Sequence, residues 1–126
     1  MNIPENLYYT SDHEWISVKG NNGTVGVTDF AQHQLGDIVF IDVTSVGETI
    51  AQGETFGTIE AVKTVSDLLL PVEAEIVEFN DLLNDQPELV NKDPYGDGWI
   101  VKIKIADAAQ VGSLMNAAEY KKIVEE

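Results

Sequence analysis

One amine stands apart in this chain. Lys63 is the only lysine between Lys19 and Lys92, and the chain contains no arginine. It sits in Gly57-Thr58-Ile59-Glu60-Ala61-Val62-Lys63-Thr64-Val65-Ser66-Asp67-Leu68-Leu69-Leu70-Pro71. A β-prone run enters, an apolar run leaves, and a short polar step between them carries the amine. The pattern predicts a strand–turn–strand with Lys63 at the turn, where a modifying enzyme could reach it. A Schiff-base lysine would need burial or a second cation to depress its pKa. The nearest charges in sequence are instead Glu60 and Asp67, both of which favour the protonated amine. A tethering amine, acylated by another protein to anchor a swinging cofactor, is compatible with this setting. A plain solvated turn lysine is equally compatible, and spacing alone puts that reading first.

No other constellation reads as catalytic. His13 lies in Asp12-His13-Glu14, but neighbours on an extended segment alternate in direction, and zinc-ligand spacing is absent. A solvated or edge-packed histidine is the expectation there, and a surface position for His33. No serine occupies a Gly-x-Ser-x-Gly elbow, and there is no phosphate loop or dinucleotide fingerprint. Glu73 and Glu75 read as the wet face of a strand rather than an acid/base pair. The chain is therefore read as a non-catalytic protein with no metal site.

The elements that must position Lys63 are mainly β. Trp15–Lys19 reads as a strand, Gly20-Asn21-Asn22-Gly23 as a turn, and Thr24–Val27 as the returning strand. A short helix over Phe30–Leu35 follows, with Asp29 as N-cap, Gln32 three residues on and Gly36 as the stop. Ile38–Val43 reads as a buried strand, Thr55–Val62 and Asp67–Leu70 flank the lysine, and Ala74–Phe79 is another strand. In Trp99–Ile105, Trp99, Val101, Ile103 and Ile105 should face the core while Lys102 and Lys104 face water. Near the end, Asn116 with Glu119 forms a capping box, and Tyr120, Ile123 and Val124 an apolar stripe. Many short strands with glycine-marked turns indicate a β sandwich or flattened barrel with small helices and a C-terminal helix. One domain is expected over residues 1–126, with its core at about 7–106 and the terminal helix at about 114–125.

Composition narrows the partners. Seven basic and 22 acidic residues give a net charge of −15. Such a surface repels nucleic-acid phosphate and anionic lipid, so neither nucleic acid nor membrane is an expected partner. Basic surfaces on other proteins suit it better, chiefly through faster encounter. The absence of cysteine removes disulfides, thiolate metal sites and a thiol nucleophile. No apolar run approaches the roughly 20 residues of a membrane span. Met1–Asn6 has neither a basic region nor an apolar signal core, so a cytoplasmic chain is expected.

Longer motifs carry a family resemblance. Tyr9-Thr10-Ser11-Asp12-His13-Glu14-Trp15, Val25-Gly26-Val27-Thr28-Asp29-Phe30-Ala31-Gln32, Leu35-Gly36-Asp37-Ile38-Val39-Phe40 and Glu60-Ala61-Val62-Lys63 are similar to the glycine cleavage system H proteins. So are Pro87-Glu88-Leu89-Val90-Asn91-Lys92-Asp93-Pro94-Tyr95-Gly96 and Gly98-Trp99, so the resemblance runs from about Leu7 to the C-terminal helix. It implies a biotinyl/lipoyl-type β fold and lipoate amide-linked to Lys63. It also implies that Glu60, Asp67 and Glu14 serve the attached group, with Glu14 and Asp67 lining a resting cleft. The implied work is transport: the arm takes the aminomethyl group of glycine from a pyridoxal-phosphate glycine decarboxylase (P protein). It passes that group to a folate-dependent aminomethyltransferase (T protein) and is reoxidised by dihydrolipoyl dehydrogenase (L protein). A lipoylating enzyme is a further implied partner. The same residues leave open a lipoyl relay to other lipoyl domains, or an unmodified interaction domain. Biotin carriers place methionines beside their lysine, whereas Val62 and Thr64 stand here; the Asp-Lys-Ala of dehydrogenase lipoyl domains is also absent. Two departures stand out. Ala74 replaces a turn glycine, and Gln34 stands where some members have a histidine, with His33 one place earlier.

Overall fold

The hairpin expected around Gly20 closes more tightly than its composition suggests. β2 (Glu14–Lys19) and β3 (Asn22–Val27) pair antiparallel from Glu14↔Val27 to Lys19↔Asn22, so only Gly20 and Asn21 form the loop. Gly20 takes φ 62°, the left-handed conformation that a two-residue loop needs. Across the same pair Trp15 lies opposite Gly26, and a Cβ at Gly26 would come within 2.7 Å of the indole. Glycine there leaves room for the ring.

In this computed structural model, which describes residues 1–125, the strands form two antiparallel sheets. Residue 126, the end of the expected domain, lies outside the described residues. Besides β2 and β3, the strands are β1 (Tyr8–Tyr9), β4 (Ile38–Asp42), β5 (Thr49–Ile50), β6 (Thr55–Ala61), β7 (Val65–Leu69), β8 (Ala74–Phe79) and β9 (Val101–Ile105). The larger sheet runs β1-β2-β3-β9-β8-β5 and the smaller β4-β6-β7. The helices are α1 (Asp29–Leu35), α2 (Leu82–Asp85), α3 (Leu89–Lys92) and α4 (Ala117–Val124), with a 3₁₀ segment at Ala108–Ser113. The mainly-β sandwich with small helices and a C-terminal helix is the observed architecture.

Burial of apolar area supplies the main favourable term. The chief core draws Ile16 and Val25 from one sheet, Ile41, Ile59 and Leu68 from the other, and Ile76 and Ile103 from the β8–β9 pair. A second cluster joins Leu7, Tyr9, Trp15 and Tyr120, and Tyr9 stacks on Tyr120 with ring centroids 4.7 Å apart. It holds α4 against β1.

Val101, Ile103 and Ile105 are buried and Lys102 and Lys104 exposed, but the alternation stops short of Trp99. Ile100 is the fully buried residue, its N–H bonded to Val25 O, while Trp99 is half-buried beneath the Lys102 amine. The cap of α1 is Thr28, whose Oγ1 accepts from Ala31 N at 3.2 Å, not Asp29. Asp29 is the first helical residue and accepts from Gln32 Nε2 at 2.8 Å. The capping box of Asn116 and Glu119 is formed in both directions. Tyr120 is buried and Val124 half-buried, but Ile123 is 45% exposed and falls off the apolar stripe. Ala74 opens β8 fully buried, and His13 is the one described non-glycine residue with positive φ. Alanine at 74 therefore carries no left-handed strain.

Candidate functional site

The lysine tip is short and tied down. Glu60 pairs with Val65, and Ala61 N donates to Thr64 O at 2.8 Å, so Val62 and Lys63 form the turn itself. Val62 N donates to Asp37 O at 3.0 Å, fastening the tip to the loop between α1 and β4. Asn91 of α3 fastens that loop in turn. Its Oδ1 accepts from Ile38 N at 2.9 Å, and its Nδ2 donates to Gly36 O at 2.9 Å and Gln32 Oε1 at 3.0 Å. Gly36 ends α1 with φ 82°, and a Cβ there would lie 3.5 Å from Lys63 Cε. The stem of the exposed lysine thus lies across Gly36, one residue beyond the end of α1.

A cleft of about 150 Å³ lies beside this loop, among Asp12, His13 and Glu14, Gln34 and Leu35 of α1, and Ser66, Asp67 and Leu68 of β7. Val27, Ala31 and Ile59 also contribute to its walls. Glu14 is only 3% exposed. Its Oε2 accepts from Leu69 N at 2.7 Å, and its Oε1 has no partner among the described residues. Burial pushes this carboxyl up to about 8; the Leu69 N–H opposes the rise and Asp12 adds to it. A larger depression of about 510 Å³, between the N-terminal segment and α4, contains none of the expected site residues.

His13 forms another wall, half-buried and held at φ 67°. Its N–H donates to Thr10 O and its carbonyl accepts from Thr28 N. Nδ1 lies 2.9 Å from the Tyr120 hydroxyl, which is 2.7 Å from Thr28 Oγ1, and the ring packs tilted on Phe30. Burial lowers the pKa of the imidazole, against the raising effect of Asp12. One tyrosine of α4 therefore braces both the wall of the cleft and the cap of α1.

Apolar walls with a buried, half-satisfied acid suit a flexible apolar chain ending in a cation or hydrogen-bond donor. No group of His, Cys, Asp and Glu among the described residues could hold a metal ion. Nor is any described helix long and apolar enough to cross a membrane.

The family model described as glycine cleavage H-protein matches residues 7–126. The chain belongs to that family. It is 60% identical over 124 residues to the glycine cleavage system H protein of Bacteroides thetaiotaomicron, covering 98% of each chain. It is 57% identical to the protein of the same name from Bacteroides fragilis, again over 98% of both. A crystal structure of a glycine cleavage system H protein from Mycobacterium marinum superposes with a TM-score of 0.89 at 40% identity, covering 98% of this chain and all of that one. The lipoyl-type β sandwich of H proteins is accordingly the fold of this chain.

The four residues that the H-protein resemblance singled out do not form one cluster. Glu14 and Asp67 share the cleft, the first buried and the second exposed. Lys63 stands at the tip. Glu60 is exposed on the face of the small sheet, paired with Phe40 on one side and Val65 on the other, and does not line the cleft. Gln34 lines the cleft but His33 does not. Sequence reasoning missed the roles of Asn91 and Tyr120. Asn91 lay inside a quoted H-protein motif, but nothing local marked it as the anchor of a loop 53 residues away.

Proposed function

We propose that this chain is the lipoyl carrier of the glycine cleavage system, with lipoate amide-linked to Nζ of Lys63. The observation that carries the reading is one exposed amine on a hydrogen-bonded tip, beside a cleft holding a buried carboxyl with one oxygen unpartnered among the described residues. When attached, lipoate supplies a reversible disulfide able to carry an aminomethyl group between enzymes. The chain itself attaches, orients and shelters. Tethering at Lys63 raises the local concentration of the arm wherever the carrier docks. Leu35, Ile59 and Leu68, which line the cleft, would exclude water along the apolar stem of the arm. Glu14, aimed by the Leu69 N–H, and Asp67 would hold the cationic end through charge-assisted hydrogen bonds. Glycine decarboxylase, aminomethyltransferase and dihydrolipoyl dehydrogenase are the partners met in turn, after a lipoylating enzyme has modified the amine.

Peptide mapping of protein from a lipoate-competent host, with a glycine-decarboxylation assay using purified partners, tests this. The added mass is expected on Lys63 alone, and Lys63→Ala should be unmodified and inactive in the assay. Modification at Lys92, or a lipoylated Lys63→Ala, would refute the attachment site. A modified chain that does not support glycine decarboxylation would refute the role.

A further inference from the structure

Ten large apolar side chains are exposed among the described residues, and four of them, Val39, Phe40, Val62 and Val65, gather at the lysine end of the small sheet. A bulge in β4 brings two of them out. The register shifts between Ile38 and Phe40, so that Ile38 and Ile41 are buried while Val39 and Phe40 both face outward. Pairing sets Phe40 opposite Glu60 and Glu60 opposite Val65, one row across the outer face. Phe40 is 50%, Val62 76% and Val65 62% exposed. Asp37, Asp42, Glu60 and Asp67, all exposed, belong to the same strands or their loop. The bond from Val62 N to Asp37 O ties the loop leading into β4 to the tip.

Exposed apolar side chains gathered at one end of a sheet and interleaved with carboxylates, Glu60 lying between Phe40 and Val65, suit an interaction site. We propose that Phe40, Val62 and Val65 are the docking surface for the enzyme that acylates Lys63, which meets them with an apolar depression edged by lysine or arginine. The inference rests on Lys63 being the attachment site. It selects that partner for a geometric reason. Acylation forms an amide between Nζ and the carbonyl carbon of an activated acyl donor, breaks the bond from that carbon to its leaving group, and releases one amine proton. The enzyme must therefore bring its reacting atoms onto Nζ itself and cover the neighbours of Lys63. Partners that act later meet the far end of an arm and need not touch the row. Glu60 within the row and Asp37, Asp42 and Asp67 on the same strands or their loop call for basic groups on the partner by charge complementarity.

Apo-protein with Phe40→Thr or Val65→Thr, each incubated with a purified lipoylating enzyme and its activated acyl donor, tests the surface. Threonine keeps strand propensity on an exposed face. Initial acylation rates by intact mass should show kcat/KM down by on the order of tenfold, mainly through KM, as for a well-packed interface anchor. Melting temperatures should stay near the wild-type value. Val77→Thr changes an equally exposed valine on the other sheet and should acylate normally. Wild-type kcat/KM in both row variants overturns the proposal, as does an equal loss in Val77→Thr. Row variants that acylate normally but no longer bind glycine decarboxylase overturn the choice of partner. A wild-type control left unmodified at Lys63 sinks the carrier reading, and this one with it.

Discussion

The backbone N–H of Leu69 donates to Oε2 of Glu14 across 2.7 Å, and these two residues are 55 apart in the chain. The bond joins the start of β2 to the end of β7 at the free edge of the small sheet. It orients a carboxyl that is otherwise out of water and leaves Oε1 without a partner among the described residues. An acid so placed is costly when charged and empty-handed. That cost makes it responsive to protons and to an arriving cation.

The first consequence is a pH-dependent stability. Glu14 titrates near 8 in the folded chain, against about 4.5 ordinarily, so between those values the folded state keeps a proton that the unfolded state has lost. Stability should fall on this account as pH rises through that window, by up to about 1.4 kcal/mol per pH unit, and level off above it. Glu14→Gln retains an acceptor for Leu69 and has no such slope. His13, lowered by burial, contributes in the opposite sense, with stability lost as pH falls. Its contribution is common to both proteins. Urea midpoints from about pH 5 to 9 should show the variant gaining on the wild type up to about pH 8 and keeping that gain above it. A flat difference would remove the elevated carboxyl.

The second consequence concerns the loaded arm. Glu14→Gln should still accept lipoate at Lys63 but lose the aminomethyl group to water faster when the loaded carrier is isolated. Asp67→Asn, altering an exposed residue, should show a smaller effect. Release of formaldehyde and ammonia over time is the readout. Decay at the wild-type rate in both variants would end the sheltering role of the cleft.

Asn91 should matter to the tip without touching it. Asn91→Ala leaves Ile38 N, Gly36 O and Gln32 Oε1 without their partner. The expected loss is about 1–3 kcal/mol of stability. Hydrogen exchange should also speed up at the Val62 amide, whose acceptor Asp37 O sits in the released loop. Unchanged exchange at Val62 would show that the tip is held by the hairpin alone.

Encounter with partners should depend on salt. A net charge of −15 steers association over about 8 Å at physiological ionic strength, acting mostly on the on-rate. Stopped-flow association with glycine decarboxylase should slow as salt rises. Rates flat across the titration would mean that the acidity serves solubility only.

What could be read from the chain alone was what local periodicity and local hydrogen bonding decide. The lysine hairpin, the alternation from Val101 to Ile105 and the capping box of Asn116 and Glu119 depend on residues a few positions apart. The long motifs likewise identified the family and its fold. The two-residue strands β1 and β5 and the single-turn helices α2 and α3 carry too short a pattern to be seen. Other features needed the tertiary structure because distant elements create them. An acid at 14 looks solvated until β7 closes over it and supplies one N–H but not two. Phe40 looks like core in Ile38–Val43 until a bulge against β6 turns it out beside Glu60. Burial and register are properties of the assembled sheets, and they decided which acid is buried in the cleft and which apolar residues stay exposed.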